Sequence, residues 1–389
     1  MTLRRPGILQ IEFRERSQFS LDDLLAGGAG VVTQSEWIAL APHIGKEMPL
    51  EFGDLAVFEA LATGGSMKRE ALEAAFGAAR VERLASVGLL IGDGAGDAEL
   101  RERDDAMRTI SWWGPAAVAH TFGRWQGIDV AADEARSGKR TLQGMIDRHG
   151  PPPPETIELR PRESWQPLPP PVKTPLDELL AARATCRNFD PSFHLPLQEL
   201  ASLLHRVFGA QATQVLGAQT VALKKNSPSG GGLHPIEAFV LVQRVDGLAP
   251  GCYHYHTTGH ALEPISLASG QELAIAACEL VAGQSWFANA PVLLLMAARF
   301  QRTYWKYRNH SKAWRVIQLD AGHLSQNLYL SATELGYGAF ITGAINDDCA
   351  ERLFELDGFS TGAIAACGFG RRASSLDTIE FDPLGKVTR

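Results

Sequence analysis

Trp305–Ala339 reads WKYRNHSKAWRVIQLDAGHLSQNLYLSATELGYGA. The stretch from Asp320 to Leu335 is apolar at helical spacing and stops at Gly336, which predicts one long helix ended by a glycine. Short apolar runs flank it. PVLLLMAARF before it predicts a buried strand, and GAFITGAI and GAIAACGFG after it predict two more. Working back along the chain, IEAFVLVQRV predicts a strand and GCYHYHTTGHALEPI a hairpin, while LDELLAARAT and LQELASLLHRVFG predict helices. Helices and strands mixed in this way make an α+β domain.

Upstream, RHGPPPPETIELRPRESWQPLPPPVKTP crowds prolines into a segment that sustains neither a helix nor a central strand, so it reads as a stiff extended linker. Three regions follow: an N-terminal module over 1–150, the linker over 151–172 and a C-terminal domain over 173–389. In the module, Leu55, Phe58 and Leu61 stand at helical spacing from Asp54 to Ala62, with Gly64-Gly65 as a stop. Ser66 is a candidate N-cap for MKREALEAAF, and a third helical run from Ala79 to Val87 leads into a strand at Gly88-Leu-Leu-Ile. Helix, turn, helix, helix, strand resembles a winged helix. It reads either as a peptide-recognising module or as a helical bundle that only supports the C-terminal domain. Trp112, Trp113 and Trp125 follow in a Gly-punctuated apolar stretch and read as buried packing.

A chain of 389 residues with 45% hydrophobic and 21% charged residues fits an ordered protein of two domains. The formal net charge of −7 repels a phosphate backbone, so nucleic acid is not the expected partner. Arg4 and Arg5 break the apolar core a signal peptide needs, and no apolar run reaches membrane-spanning length. Five scattered cysteines, Cys186, Cys252, Cys278, Cys349 and Cys367, form no C-x-x-C pair. A reduced, cytoplasmic protein is expected.

The dinucleotide and P-loop fingerprints are absent. Three separated segments could instead gather around one phosphorylated ligand. In RATCRNF, Arg183 and Arg187 are four residues apart, neighbours on one face if the helix continues through them, and could clamp a phosphate; alone they also read as solvated surface arginines. In NSPSGGGLHP, Gly230, Gly231 and Gly232 let a planar ligand approach the backbone, and Ser229 offers a hydroxyl; alone this is also an ordinary flexible loop. In CGFGRR, Gly368 and Gly370 open space beside Arg371. Cys252, His254 and His256 alternate on one strand face, but no fourth residue has metal-ligand spacing, so no metal is expected.

These segments together resemble the FMN-dependent nitroreductase superfamily, and within it the SagB-type dehydrogenases that oxidise thiazolines and oxazolines in ribosomally made peptides. RATCRNF is similar to the family's R-x-[ST]-x-[RK]-x-F element, which implies that Arg183, Thr185 and Arg187 contact FMN. PSGGGLHP resembles the P-S-x-G-x-x-x-P loop along the flavin and carries over Pro228, Ser229, Gly230, Gly231 and His234. The WKY and LDAGHLSQNL stretches match the family most specifically, with Asn327 within reach of a cofactor and His323 a packing or dimer contact. Gly343 and Ala344 look like the segment near the isoalloxazine, and Gly368 and Arg371 like the closing phosphate contact. After Tyr307 the chain reads RNHSKAWR where the family tends to a Gly-Arg-Gly-Tyr-Arg pattern.

The resemblance implies a nitroreductase-type fold with a mixed or antiparallel sheet, FMN as cofactor and a homodimer with flavin sites at the subunit interface. It also implies that Lys306 and Tyr307 are catalytic. Aromatising an azoline needs a base for the α-proton, and a lysine serves only when neutral, so Trp305 and Tyr307 are expected to desolvate Lys306. Implied partners are a precursor peptide and a cyclodehydratase, with oxygen returning the flavin to its oxidised form. Two rival functions stand beside this one: an NAD(P)H-dependent nitro or quinone reductase, and an inactive scaffold that binds peptide.

Overall fold

The computed structural model describes residues 1–61, 65–137, 141–217, 220–268 and 270–387. The chain forms two compact units. The first gathers Met1–Arg124, Arg299–Ile317 and Asp357–Gly362, and the second Trp125–Ala298, Gln318–Leu356 and Ala363–Arg389.

The expected boundary at Gly150 does not coincide with the division between the units. Residues 125–130 group with the second because the Ile128 N–H donates to Asn346 Oδ1, Asn346 Nδ2 donates back to the Ile128 carbonyl, and the Trp125 N–H donates to Asp347. Proline content marked where regular structure stops, and residues 151–174 are indeed exposed with only a short 3-10 turn at Arg162–Ser164.

In the first unit, helices Asp54–Ala60, Arg69–Phe76 and Ala78–Ser86 pack against a three-stranded antiparallel sheet. Its order is Met67–Lys68, Thr2–Arg4, Ile91–Gly92, and Leu3 lies opposite both Met67 and Gly92. The central strand of this sheet is Thr2–Arg4. The core is aliphatic, and Leu3, Val57, Leu72, Val81, Leu84 and Leu89 are fully buried in it. Ser66 is not the N-cap: Met67–Lys68 is drawn into the sheet and the helix starts at Arg69 behind Lys68. Ala62 and Gly64 of the expected helix stop lie outside the described residues. An antiparallel meander of Gln10–Phe19, Val31–Leu40 and Glu47–Leu50 adds a second sheet that the sequence reading did not anticipate.

Trp112 is buried as expected, whereas Trp125 is 38% exposed. The Trp112 indole sits among Phe300, Tyr304, Trp314 and His120, and its Nε1 donates to the Phe359 carbonyl. Burial among these rings pulls His120 down to about 4, so it stays neutral, with Nε2 at the Gly358 carbonyl.

The second unit is α+β, as its periodicity required. A six-stranded sheet runs in the order Ala261–Leu267, Gly251–His256, Ile236–Val242, Val292–Arg299, Thr361–Gly370, Gly338–Thr342. Val240 faces Tyr253 on one side and Leu294 on the other, in antiparallel register. Val292 to Ala298 are all fully buried, which is why the segment reads as one continuous apolar run. The helix expected from Asp320 begins earlier, at Ser311, and runs to Glu334. Gly336 ends it with φ +78°. No helix among the described residues is long and apolar enough to cross a membrane.

Candidate functional site

Two of the expected site segments are fastened in the second unit to Tyr329 and Asp320 of the long helix, and the third runs beside the first of them. The first is RATCRNF. The helix Pro175–Ala182 stops short of it, and Arg183 is the C-cap with extended backbone (φ −72°, ψ 113°). Arg183 and Arg187 are therefore not neighbours on a helix face. They are instead two steps of two along an extended segment, so Arg183, Thr185 and Arg187 share a side while Ala184, Cys186 and Asn188 are buried. The Cys186 N–H donates to the Ala339 carbonyl at 2.9 Å. Gly338 makes this approach possible, since a Cβ there would stand 2.6 Å from Cys186 Sγ.

The exposed side of this segment rests on aromatic rings. The Arg183 guanidinium lies 5.4 Å from the Tyr329 ring centroid, Thr185 Oγ1 is 3.0 Å from the Tyr329 hydroxyl, and the Arg187 guanidinium lies 6.0 Å from the Phe287 ring. Among the described residues neither arginine forms an ion pair. Two half-buried cations without a carboxylate partner are a suitable donor set for a phosphate.

The second segment is the loop after Lys225. Buried Asp320, on the long helix, accepts from Ser229 Oγ at 2.5 Å with one carboxylate oxygen and from the Gly230 N–H at 3.1 Å with the other. Ser229 Oγ in turn accepts from the His234 N–H at 2.8 Å. Burial pushes the Asp320 carboxyl above its usual range, and these hydrogen bonds work against that shift. Gly231, Gly232 and His234 all have left-handed backbone, at φ 68°, 70° and 47°. A Cβ on Gly232 would meet no atom within 4 Å, so the loop presents open backbone. Asn327, two turns along the helix from Asp320, donates to the Arg206 carbonyl at 3.2 Å and is spent on packing. His323 is exposed, which removes the interior-packing reading for it. Asp320 and buried Lys225 were not singled out from sequence; the aspartate of LDAGH was the available signal for the first.

The third segment closes the sheet. Asp190 N–H donates to the Arg371 carbonyl and Ala373 N–H to the Asn188 carbonyl, so CGFGRR runs beside RATCRNF despite some 180 intervening residues. The Arg371 guanidinium is already engaged. It pairs with Asp190 at 2.8 Å and lies 4.5 Å from the Phe193 ring. Hydrogen bonds from Ser192, then the Arg371 charge, hold the Asp190 carboxyl down at about 2. Gly368 does not open space; a Cβ there would meet Phe340 Cε1 at 2.4 Å, so it is a packing glycine. Gly343 is open, with nothing within 4 Å of a Cβ, and Ala344 is fixed by its N–H to Thr342 Oγ1 and its carbonyl to Gln284 Nε2.

A fourth element was not legible in the sequence. The tail residue Glu380 is buried and accepts from the backbone N–H groups of Arg187 and Asn188 and from Asn188 Nδ2, while its other oxygen pairs with Arg372. Asn188 Oδ1 accepts from the N–H groups of Asp377 and Thr378. The tail thus clasps the arginine segment.

Lys306 and Tyr307 belong to the first unit, at the end of the helix Phe300–Lys306. Lys306 is exposed and Trp305 is 62% exposed, so Trp305 does not desolvate the amine. The Lys306 Nζ lies 5.6 Å from the Tyr307 ring centroid. Cys252 is buried in the core, and His254 is held between Glu237 and Glu263 at 3.6 and 3.4 Å.

The nitroreductase family model matches residues 180–371. A protein of Methanocaldococcus jannaschii named as a nitroreductase is 34% identical over 182 residues, which cover 46% of this chain and 84% of that protein. The trifolitoxin-processing protein TfxB of Rhizobium leguminosarum bv. trifolii is 31% identical over 173 residues, covering 44% of this chain. The match spans 46% of that protein's own length. Among solved structures, the E. coli microcin synthetase McbBCD complex, with a truncated pro-microcin bound, shares the fold at a TM-score of 0.50 and 18% identity. The alignment covers 69% of this chain and 94% of that one.

Proposed function

This chain belongs to the nitroreductase family, and from that premise we propose that it is an FMN-dependent dehydrogenase of peptide maturation. Its substrate is a thiazoline or oxazoline, or a related C–C or C–N bond, in a ribosomally made precursor. The observation that carries the reading is the pair Arg183 and Arg187, two guanidinium groups without ion pairs on one extended segment. The name of the trifolitoxin-processing relative supports peptide maturation as the setting.

FMN fits the residues present. Arg183, Thr185 and Arg187 would hold its phosphate, with Arg371 sharing its guanidinium between phosphate and Asp190. The open backbone at Gly232 and Gly343 would face its ring. When bound, FMN supplies a hydride acceptor that oxygen can restore. The chain's own contribution is the base. Lys306 Nζ, in its neutral form, takes the α-carbon proton of the azoline, and Tyr307 orients or relays it. Because Lys306 is exposed, desolvation of its amine falls to whatever covers it in the loaded enzyme: the peptide, or the second subunit of a homodimer. A cyclodehydratase supplies the ring that is oxidised.

The archaeal relative favours a second reading, an NAD(P)H-dependent nitro or quinone reductase. Supplying both substrates to the FMN-loaded protein separates the two. Ring oxidation coupled to oxygen uptake supports the dehydrogenase. Steady NAD(P)H consumption with nitroaromatics, and no ring oxidation, would replace it with the reductase.

A further inference from the structure

The first unit carries a cleft of about 500 Å³ that the roles above leave unused. Its floor is buried Met107 and Trp112, with Ile8 and Leu9 half-buried beside them and Pro115 exposed at the edge. Its rim is polar and neutral: the side chains of Gln10, Ser111 and Asn309 line it and make no hydrogen bond among the described residues. Arg108 is the one charged residue of the lining, and its guanidinium is taken up by Asp104 at 2.8 Å and the Arg5 carbonyl at 3.0 Å.

This chemistry selects its occupant. A phosphate or carboxylate would find no uncommitted cation there, and an amine no carboxylate. A neutral chain with one apolar side chain for the floor and amide groups for the rim matches both surfaces, and an extended peptide is such a chain.

The cleft also adjoins the proposed proton-transfer pair. Trp112 in its floor packs at 4.4 Å on Phe300 and 4.8 Å on Tyr304, both on the helix that ends at Lys306. Asn309 in its rim follows Tyr307 by two residues, which keeps their Cα atoms within about 7.6 Å. The Asn309 N–H donates to the Ser111 carbonyl at 2.9 Å, tying the loop that leaves Tyr307 to the cleft wall. Both residues hold left-handed backbone, Ser111 at φ 61° and Asn309 at φ 50°. Strained non-glycine positions of this kind gather at binding sites.

We propose that this cleft is a substrate subsite that seats a neutral, extended stretch of the precursor peptide beside the Lys306–Tyr307 pair, with an apolar side chain of the peptide on Trp112 and Met107. The inference rests on the peptide-dehydrogenase reading. Gly114 provides the test, because a Cβ there meets only Ile8 Cγ2, at 3.6 Å, so Gly114→Leu fills the cleft without displacing backbone. Asn309→Gly removes the rim amide and keeps the left-handed turn.

The probe is a fluorescein-labelled hexapeptide containing one thiazoline flanked by leucine and glycine, titrated with the full-length protein and read by anisotropy. Flavin content and melting temperature are recorded in parallel. The wild type should bind the probe, and Gly114→Leu should weaken binding about tenfold or more, close to 1.4 kcal/mol. Asn309→Gly should weaken it by a smaller factor, with flavin content and melting temperature unchanged in both variants. A wild type that does not bind, or variants that bind as it does, overturns the proposal. The outcomes separate the two claims: flavin present with binding unchanged sinks the subsite alone, and flavin absent with binding lost in Gly114→Leu sinks the FMN reading alone.

Discussion

Glu380 Oε1 accepts from both the backbone N–H and the side-chain Nδ2 of Asn188, at 2.9 and 3.0 Å. A residue some 190 positions further along the chain thereby fixes the segment that carries Arg183 and Arg187. Its second oxygen neutralises Arg372, so removing the carboxylate strands a mostly buried guanidinium and several donors at once.

Glu380→Ala is therefore expected to cost about 3–5 kcal/mol, in the range for breaking one side of a buried ion pair. Urea denaturation of both proteins measures it. A loss below about 1 kcal/mol would mean that water or a neighbouring side chain replaces the carboxylate.

Asp320 holds the glycine loop through Ser229 and Gly230. Asp320→Asn keeps the shape but turns one acceptor into a donor that faces another donor, with an expected cost of about 1–3 kcal/mol. Affinity for added FMN, followed by quenching of flavin fluorescence, should fall with it. Unchanged affinity would detach the loop from the flavin site.

Arg183 and Lys306 should separate binding from chemistry. Arg183→Ala should be purified without cofactor, whereas Lys306→Ala should keep its flavin and lose peptide oxidation. Turnover by the Lys306 variant at the wild-type rate would assign the base elsewhere.

His254 gives a pH dependence with a definite sign. Its hydrogen bond and charge interaction with Glu237, joined by Glu263, raise its pKa against the opposing effect of burial. A group with a raised folded pKa contributes fully below its unfolded value, about 6.5, and loses that contribution as pH rises through the folded value. The gap in melting temperature between wild type and His254→Gln should thus be wide at pH 5.5 and narrow toward pH 8.5. A gap that is constant, or that widens with pH, contradicts the assignment.

The catalytic half was legible because its signals are contiguous. The buried Val292–Arg299 strand, the 251–267 hairpin and the long helix each declare themselves within one run of residues. Short elements did not. Thr2–Arg4 has three residues and becomes a strand only through Met67 and Gly92 on either side. At Arg183 the apolar spacing extends past the point where the helix ends, because pairing of Cys186 with Ala339 outweighs one further helical turn. The clasp by Glu380 joins residues some 190 positions apart, a relationship that no local pattern encodes. The expected desolvation of Lys306 relied on adjacency in sequence, and an exposed helix end sends Trp305 outward.

Whether this chain holds FMN is read most directly from the absorbance spectrum of the purified protein, followed by chromatography of whatever denaturation releases. A flavin spectrum and released FMN are expected. A colourless protein that also fails to take up added FMN would contradict FMN as its cofactor.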